Sequence, residues 1–331
     1  MKIKILTTLM MTAAVLLTAC SSDETGQSQG RTEVPAGEPL QLVSVTRGSA
    51  TDAVLGDIRV LMTPDAKPGT YYEGSYVKTE TGWQHLVSVN SEKYHIYGYM
   101  PGNHVSASIS MLGDDYKTGA VLKFDDLPAA TPHDVCLVTS LKKDVDDAFV
   151  PGNYALDNTD NANTVSLHLD HLMASVAFKV ALGSSRNYCD LRSVKLKTLG
   201  LKTSKLTKTD VTFRQGQVLT DNDIAFTLDD ANQVECPLYK SEEWLKIPTD
   251  TICVTGYFVP SLSDALELVA EYDVYDKKDN LVRSGCKALS KLPLPALTRG
   301  QQFMLKLTIE PTYLYQLSDT DLDNPTIMIR E

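Results

Sequence analysis

Tryptophan occurs twice and cysteine six times in the 331 residues. No two cysteines stand at Cys-x-x-Cys spacing, which excludes the common zinc and dithiol motifs. A glycine loop for phosphate and a His-Glu-x-x-His helix are also missing, so two large classes of enzyme lose their signatures. No segment holds a helical period for three turns, and no apolar run approaches the ~20 residues needed to cross a bilayer. Basic residues are in deficit, 31 Lys+Arg against 42 Asp+Glu, for a formal charge of −11. That balance argues against nucleic acid and anionic lipid headgroups as partners. The expectation is a protein without catalytic residues, cofactor or metal.

What is present begins with targeting. Lys2 and Lys4 precede an apolar run that ends in Leu17-Thr18-Ala19-Cys20, the arrangement of a bacterial signal peptide over residues 1–19 closing on a lipobox. Acyl chains on Cys20 would then be the anchor, each buried methylene contributing about 0.8 kcal/mol. Loss of Lys2 and Lys4 takes the formal charge from −11 to −13. Residues 20–36 are polar and aperiodic and read as a flexible lipidated tether. Within them Asp23-Glu24 resembles the export tag that sends some lipoproteins of Bacteroidetes to the outer face of the outer membrane. Beyond Cys20 five cysteines remain, an odd number that allows up to two disulfides. Cys253, in an apolar run, reads as a buried thiol.

From there the chain alternates. Leu266, Leu268, Ala270, Tyr272 and Val274 stand against Glu267, Glu271 and Asp273, and Phe303, Leu305, Leu307 and Ile309 against Lys306 and Thr308. A period of two marks strands with one buried face. Lys93–Met100, Gly119–Phe124, Ala174–Leu182, Asp190–Leu199 and Thr251–Val259 read likewise. Turn-formers separate them, at Pro64–Gly69, Pro101–Asn103, Gly113–Asp115, Pro151–Asn153 and Asp276–Asn280. Many short strands punctuated in this way predict an all-β protein of β-sandwiches. The Asn-, Asp- and Gly-rich stretch Pro151–Asn163 divides it into an N-terminal sandwich, 37–162, and a C-terminal one, 163–331, each of ordinary domain size.

Several clusters invite chemistry. His168 and His171 look like a metal pair, but an odd separation on a strand points them to opposite faces, so they are read as core or strand-end histidines. Asp319-Thr320-Asp321-Leu322-Asp323-Asn324 opens like a calcium loop, yet Asn324 stands where glycine is required and Arg330 where the bidentate glutamate belongs. Tyr71, Tyr72, Tyr76 and Trp83, with Tyr94, Tyr97 and Tyr99, are either a sugar-stacking platform or strand core.

With the lipobox, the strand His95-Ile96-Tyr97-Gly98-Tyr99-Met100-Pro101 and the segment His168-Leu169-Asp170-His171-Leu172-Met173-Ala174-Ser175-Val176-Ala177-Phe178 in view, the chain resembles the fimbrillin-like proteins (type V pilins) of Bacteroidales. The resemblance implies two tandem transthyretin-like sandwiches and a structural, non-enzymatic subunit of a cell-surface fimbrium. It further implies assembly in which a protease removes the first strand of one subunit and an extended segment of the next fills the groove. Partners would be other fimbrial subunits, the outer-membrane lipid through Cys20, and a host or bacterial surface ligand for adhesion. Leu40–Thr46 reads as the removable strand, with Arg47 as the cleavage point and Arg31 or Arg59 as alternatives, Arg59 disfavoured because Ile58–Met62 reads as strand interior. The appendage 311–331 carries Tyr313, Tyr315 and Leu317 on one face, then Ile327 and Ile329. These are candidate donor strands, the alternative being that they complete the second domain. A surface glycan-binding lipoprotein is the other reading of the whole.

Overall fold

The computed structural model describes residues 37–47, 56–143, 146, 149–160, 162–183, 192–247, 249–260, 266–292 and 297–309. Within these the chain is all-β. The short strands β1 (Glu38–Pro39) and β6 (Ser88–Val89) pair with each other. A nine-stranded sheet contains β2 (Gln41–Arg47), β3 (Ile58–Pro64), β4 (Tyr72–Thr79), β5 (Gly82–Leu86), β7 (Lys93–Met100), β11 (Cys136–Lys143) and β14 (Thr164–His171). Its order is β2-β14-β11-β7-β3-β4-β5, with β12 (Phe149–Gly152) on β11 and β13 (Ala155–Asp157) on β7. Six strands form a second sheet: β8 (Ser108–Met111), β9 (Gly119–Pro128), β16 (Arg192–Arg214), β17 (Ile224–Leu245), β19 (Leu266–Asp276) and β20 (Leu281–Leu292). The third runs β10-β18-β15-β21, from β10 (Ala130–Thr131), β18 (Thr251–Phe258), β15 (Ala174–Leu182) and β21 (Gln302–Ile309).

Period-two alternation decides which core each residue joins. On β7, Tyr94, Ile96 and Met100 face one buried cluster with Ile58, Val60, Met62, Tyr76, Val138 and Leu167. The intervening Tyr97 and Tyr99 face a larger cluster with Phe124, Phe178, Phe213 and Phe258. Gly98 sits where a Cβ would lie 2.2 Å from the carbonyl oxygen of Arg59, so this close strand approach admits only glycine. A strand buried on both faces loses its polar alternation, which is why Lys93–Met100 reads as nearly continuous aromatic and apolar sequence. The six- and four-stranded sheets pack on the larger cluster as a sandwich.

The long hairpin of β16 and β17, 23 and 22 residues, carries register shifts at Leu196/Thr198, Leu199/Gly200 and Leu201/Ser204. Extra residues of this kind bend a strand. The bends let one strand serve β19 along Arg192–Leu201 and β9 along Leu206–Arg214. The segment His168–Phe178 is likewise not one element. It ends β14 in the nine-stranded sheet, passes through buried Leu172 and Met173, and starts β15 in the four-stranded one. Both histidines thus lie near the end of β14, with His171 its last residue. Strands from either side of residue 162 share sheets: β14 hydrogen-bonds to β11, and β16 to β9.

A candidate assembly edge at the first strand

The first strand lies at one end of the large sheet. β2 pairs with β14 in parallel, from Gln41 opposite Thr164 to Arg47 opposite Leu169. Parallel ladders are slightly less stable per residue than antiparallel ones, and this one is interrupted between Val165 and Ser166. The sequence Leu-Val-Ser-Val explains the interruption. Leu42 opposes Val165 and Val45 opposes Leu167, and both pack on the cluster lined by Tyr76 and Leu167. Two side chains three positions apart share a face only if an extra residue is inserted between them. Val43 is that residue, and it is 66% exposed. Ser44 then meets Ser166 on the other face, Oγ to Oγ at 2.9 Å.

Leu40, just before the strand, is fully buried. Its backbone N–H donates to the carbonyl of Val87 at 2.9 Å, and its own carbonyl accepts from the Tyr76 hydroxyl at 3.1 Å. With β1 on β6, these contacts close the seam between the two ends of the sheet. Leu40, Leu42 and Val45 are the apolar plugs of the segment. A fully buried plug of this size contributes about 1.5–3 kcal/mol.

Beside the strand runs an open groove of ≈ 470 Å³, lined by Val43, Leu141, Leu156 and Val165 among others, with Lys142 and Asp157 also in its wall. Lys93 pairs with Asp157 at 3.2 Å, and Lys142 lies over the Tyr154 ring at 5.6 Å. The groove arises because β13 occupies the lane beside β7 that β11 leaves when it turns to meet β12. In the four-stranded sheet, β21 pairs in parallel with β15, from Gln302 opposite Ser175 to Ile309 opposite Leu182. It too is an edge strand. Phe303, Leu305 and Leu307 pack inward, and Met304 is 73% exposed.

Of the residues singled out in the sequence, Arg47 closes β2 and Arg59 lies inside β3. Cys20, Arg31, Tyr313, Tyr315, Leu317, Ile327, Ile329 and the acidic turn 319–324 lie outside the described residues. The aromatic cluster resolves in favour of core. Tyr72, Tyr76, Tyr94, Tyr97 and Tyr99 are all buried, and Tyr71 and Trp83 are half-buried, so most of the cluster is core. Cys253 corrects the sequence reading in the opposite direction, being exposed. On β18 the buried positions are Ile252, Val254, Gly256 and Phe258, so the thiol falls on the outer face. Cys136, Cys236, Cys253 and Cys286 form no disulfide. One cluster had no signal in the sequence: Asp134, Cys136 and His171 converge at the ends of β11 and β14.

The fold defines a class, an all-β protein of sheets packed as sandwiches. Its likeness to known proteins is structural. No protein-family model matches the chain, and no curated protein matches it. Among solved structures it is similar to a fimbrial protein from Bacteroides vulgatus, at 14% identity and a TM-score of 0.41, covering 81% of this chain and 95% of the other. It is also similar to a candidate cell-adhesion protein from Bacteroides uniformis, at 15% identity and a TM-score of 0.38, covering 83% and 94%. A third, a candidate cell-adhesion protein from Bacteroides fragilis, has 11% identity and a TM-score of 0.38, covering 86% and 93%.

Proposed function

We propose that this chain is a structural subunit, shaft or tip, of a cell-surface fimbrium built by strand exchange and contributing to adhesion. The observation that carries the reading is the first strand: an edge strand on an interrupted parallel ladder, with Leu40, Leu42 and Val45 packed on the cluster lined by Tyr76 and Leu167 and an open groove beside it. Cleavage after Arg47, or after Arg31, would free the segment, and an extended strand from the next subunit would take its place. Backbone hydrogen bonds to β14 would then join the chains, and alternate apolar side chains would refill the positions of Leu40, Leu42 and Val45. Tyr313, Tyr315, Leu317, Ile327 and Ile329 supply such alternation in the appendage 311–331. Until cleavage, acyl chains on Cys20 would hold the subunit at the outer membrane, facing outward.

The test compares the chain trimmed at Arg47 with the same chain truncated at Pro311. The expected result is SDS-resistant ladders for the first and a folded monomer for the second. A trimmed protein that stays monomeric at high concentration, with the segment 311–331 protected from hydrogen exchange inside its own domain, would overturn the reading.

A further inference from the structure

Cys136 is the first residue of β11 and His171 the last of β14, and the two oppose each other in the antiparallel ladder. Directly opposed residues hold their Cβ atoms about 4.5–5.5 Å apart. Asp134 stands two positions before Cys136. The result is an imidazole, a thiol and a carboxylate gathered at one corner of the sheet, their ligand atoms all within 4.8 Å of one another. His171 Nδ1 lies 3.0 Å from Asp134 Oδ1 and 3.6 Å from Cys136 Sγ. All three are buried or nearly so, Cys136 fully and the side chains of Asp134 and His171 at 7% and 12% exposure.

We infer that Asp134, Cys136 and His171 form a zinc site that cross-links β11 to β14 and leaves a fourth coordination position open. Two of the three ligand–ligand distances match those around one ion, and the third lies within 4.8 Å. With Zn–N of 2.0–2.1 Å, Zn–O of 2.0–2.2 Å and Zn–S of 2.3 Å, a tetrahedral centre has N···O and N···S edges of about 3.3 and about 3.5 Å. The observed 3.0 and 3.6 Å lie within a few tenths of an ångström of these. Both short contacts fall on the same ring nitrogen, as they do when three donors aim at a common point. A serine-protease-type relay would use the two nitrogens separately. Charge balance fits a divalent ion, because a thiolate and a carboxylate together neutralise it in a buried place. The soft thiolate and the imidazole disfavour calcium and magnesium, which take oxygen ligands.

The position is also braced. The Arg299 guanidinium donates to the His171 carbonyl at 3.2 Å while pairing with Asp170 and Asp221, each at 2.8 Å. The backbone of the imidazole ligand is thus fixed independently of any ion. The inference does not depend on strand exchange.

Cobalt serves as the probe, since a tetrahedral cobalt–thiolate centre has a charge-transfer band that a thiol-free site cannot produce. The mature chain carries Cys253→Ser to remove the exposed thiol and is kept reduced. It is expected to develop this band to one equivalent of Co²⁺ and to lose it when Zn²⁺ is added. Cys136→Ala should abolish the band, and His171→Gln or Asp134→Asn should weaken cobalt binding tenfold or more. Zinc should also raise the unfolding temperature of the parent and not of Cys136→Ala. No band in the folded parent would overturn the proposal, as would a band undiminished in Cys136→Ala. If Cys136→Ala does not fold, Asp134→Asn decides between the two results, because it keeps the size of the side chain.

Discussion

The hydroxyl of Tyr76 donates to the carbonyl of Leu40 at 3.1 Å, from a side chain that is itself fully buried. Burial pushes the Tyr76 phenol well above its ordinary range, so it remains a donor at any physiological pH. This bond ties β4 to the entry of the first strand. Tyr76→Phe keeps the ring and removes the bond, so urea denaturation should show a loss of about 0.5–1.5 kcal/mol. Hydrogen exchange should locate the effect: amides of residues 40–45 should exchange faster relative to those of β7.

The bulge at Val43 separates neighbours that the sequence presents as equivalent. Leu40→Ala should open a cavity and cost about 2–5 kcal/mol. Val43→Ala, at a side chain 66% exposed, should stay within about 0.5 kcal/mol of the parent. If strand exchange operates, the pair should also differ in assembly. Leu40→Ala should release the first strand faster after cleavage, and Val43→Ala at the parent rate. Size-exclusion chromatography of the trimmed chains distinguishes the two.

Much of this architecture was legible because alternation is a local property. The spans Lys93–Met100 and Ala174–Leu182 coincide with β7 and β15, and Thr251–Val259 with β18 to within one residue. What was not legible depends on partners distant in sequence. Asp190–Leu199 reads as an ordinary strand, whereas β16 runs on to Arg214 because β9 and the second half of the hairpin complete it. The buried tyrosines of β7 look like a sugar platform until the sheet is found to be covered on both faces. Cys253 reads as buried because a run such as Thr-Ile-Cys-Val-Thr does not say which parity faces inward. The cluster of Asp134, Cys136 and His171 was invisible for the same reason, its histidine lying 37 positions from Asp134 and 35 from Cys136.

Thiol accessibility tests the assignment of faces on four strands at once. Cys253 is exposed, and Cys136, Cys236 and Cys286 are buried. Burial also pushes the Cys236 thiol up to about 11 and raises that of Cys286. Thiolate fraction and access together set the rate of alkylation. In native protein near neutral pH, a maleimide should modify Cys253 within minutes, as read by peptide mass spectrometry. The other three should react only as fast as the protein opens, and all four at similar rates in denaturant. Rapid native labelling of Cys236 would place its face of β17 outward, against the packing described.

Acidification should act in two steps, the first governed by histidines. Burial lowers the ordinary value of 6.5 for His95, His133 and His168. Two of the three have acidic neighbours that oppose the shift. Asp65 contacts His95 Nε2 at 2.9 Å and raises it, and Asp170 raises His168. His104 stacks on His133 at 3.6 Å between ring centroids and lowers it further, as His171 does for His168. Because the folded values lie below the unfolded one, the unfolded chain binds protons first. The stability associated with the neutral rings is therefore present above pH 6.5 and is lost as pH falls through the folded values. Carboxylates follow. Asp273, 2.8 Å from the Lys197 ammonium and accepting from the Gly285 amide at 2.8 Å, is held below its ordinary 3.8 despite burial. Its contribution is present above 3.8 and is lost only at lower pH. Urea midpoints should thus decline as pH falls below 6.5, level off once the folded rings are protonated, and fall again below about 4, the range in which paired carboxylates take up protons. His95→Gln should flatten the first decline and leave the second unchanged, whereas Lys197→Met should shift the second to higher pH and spare the first.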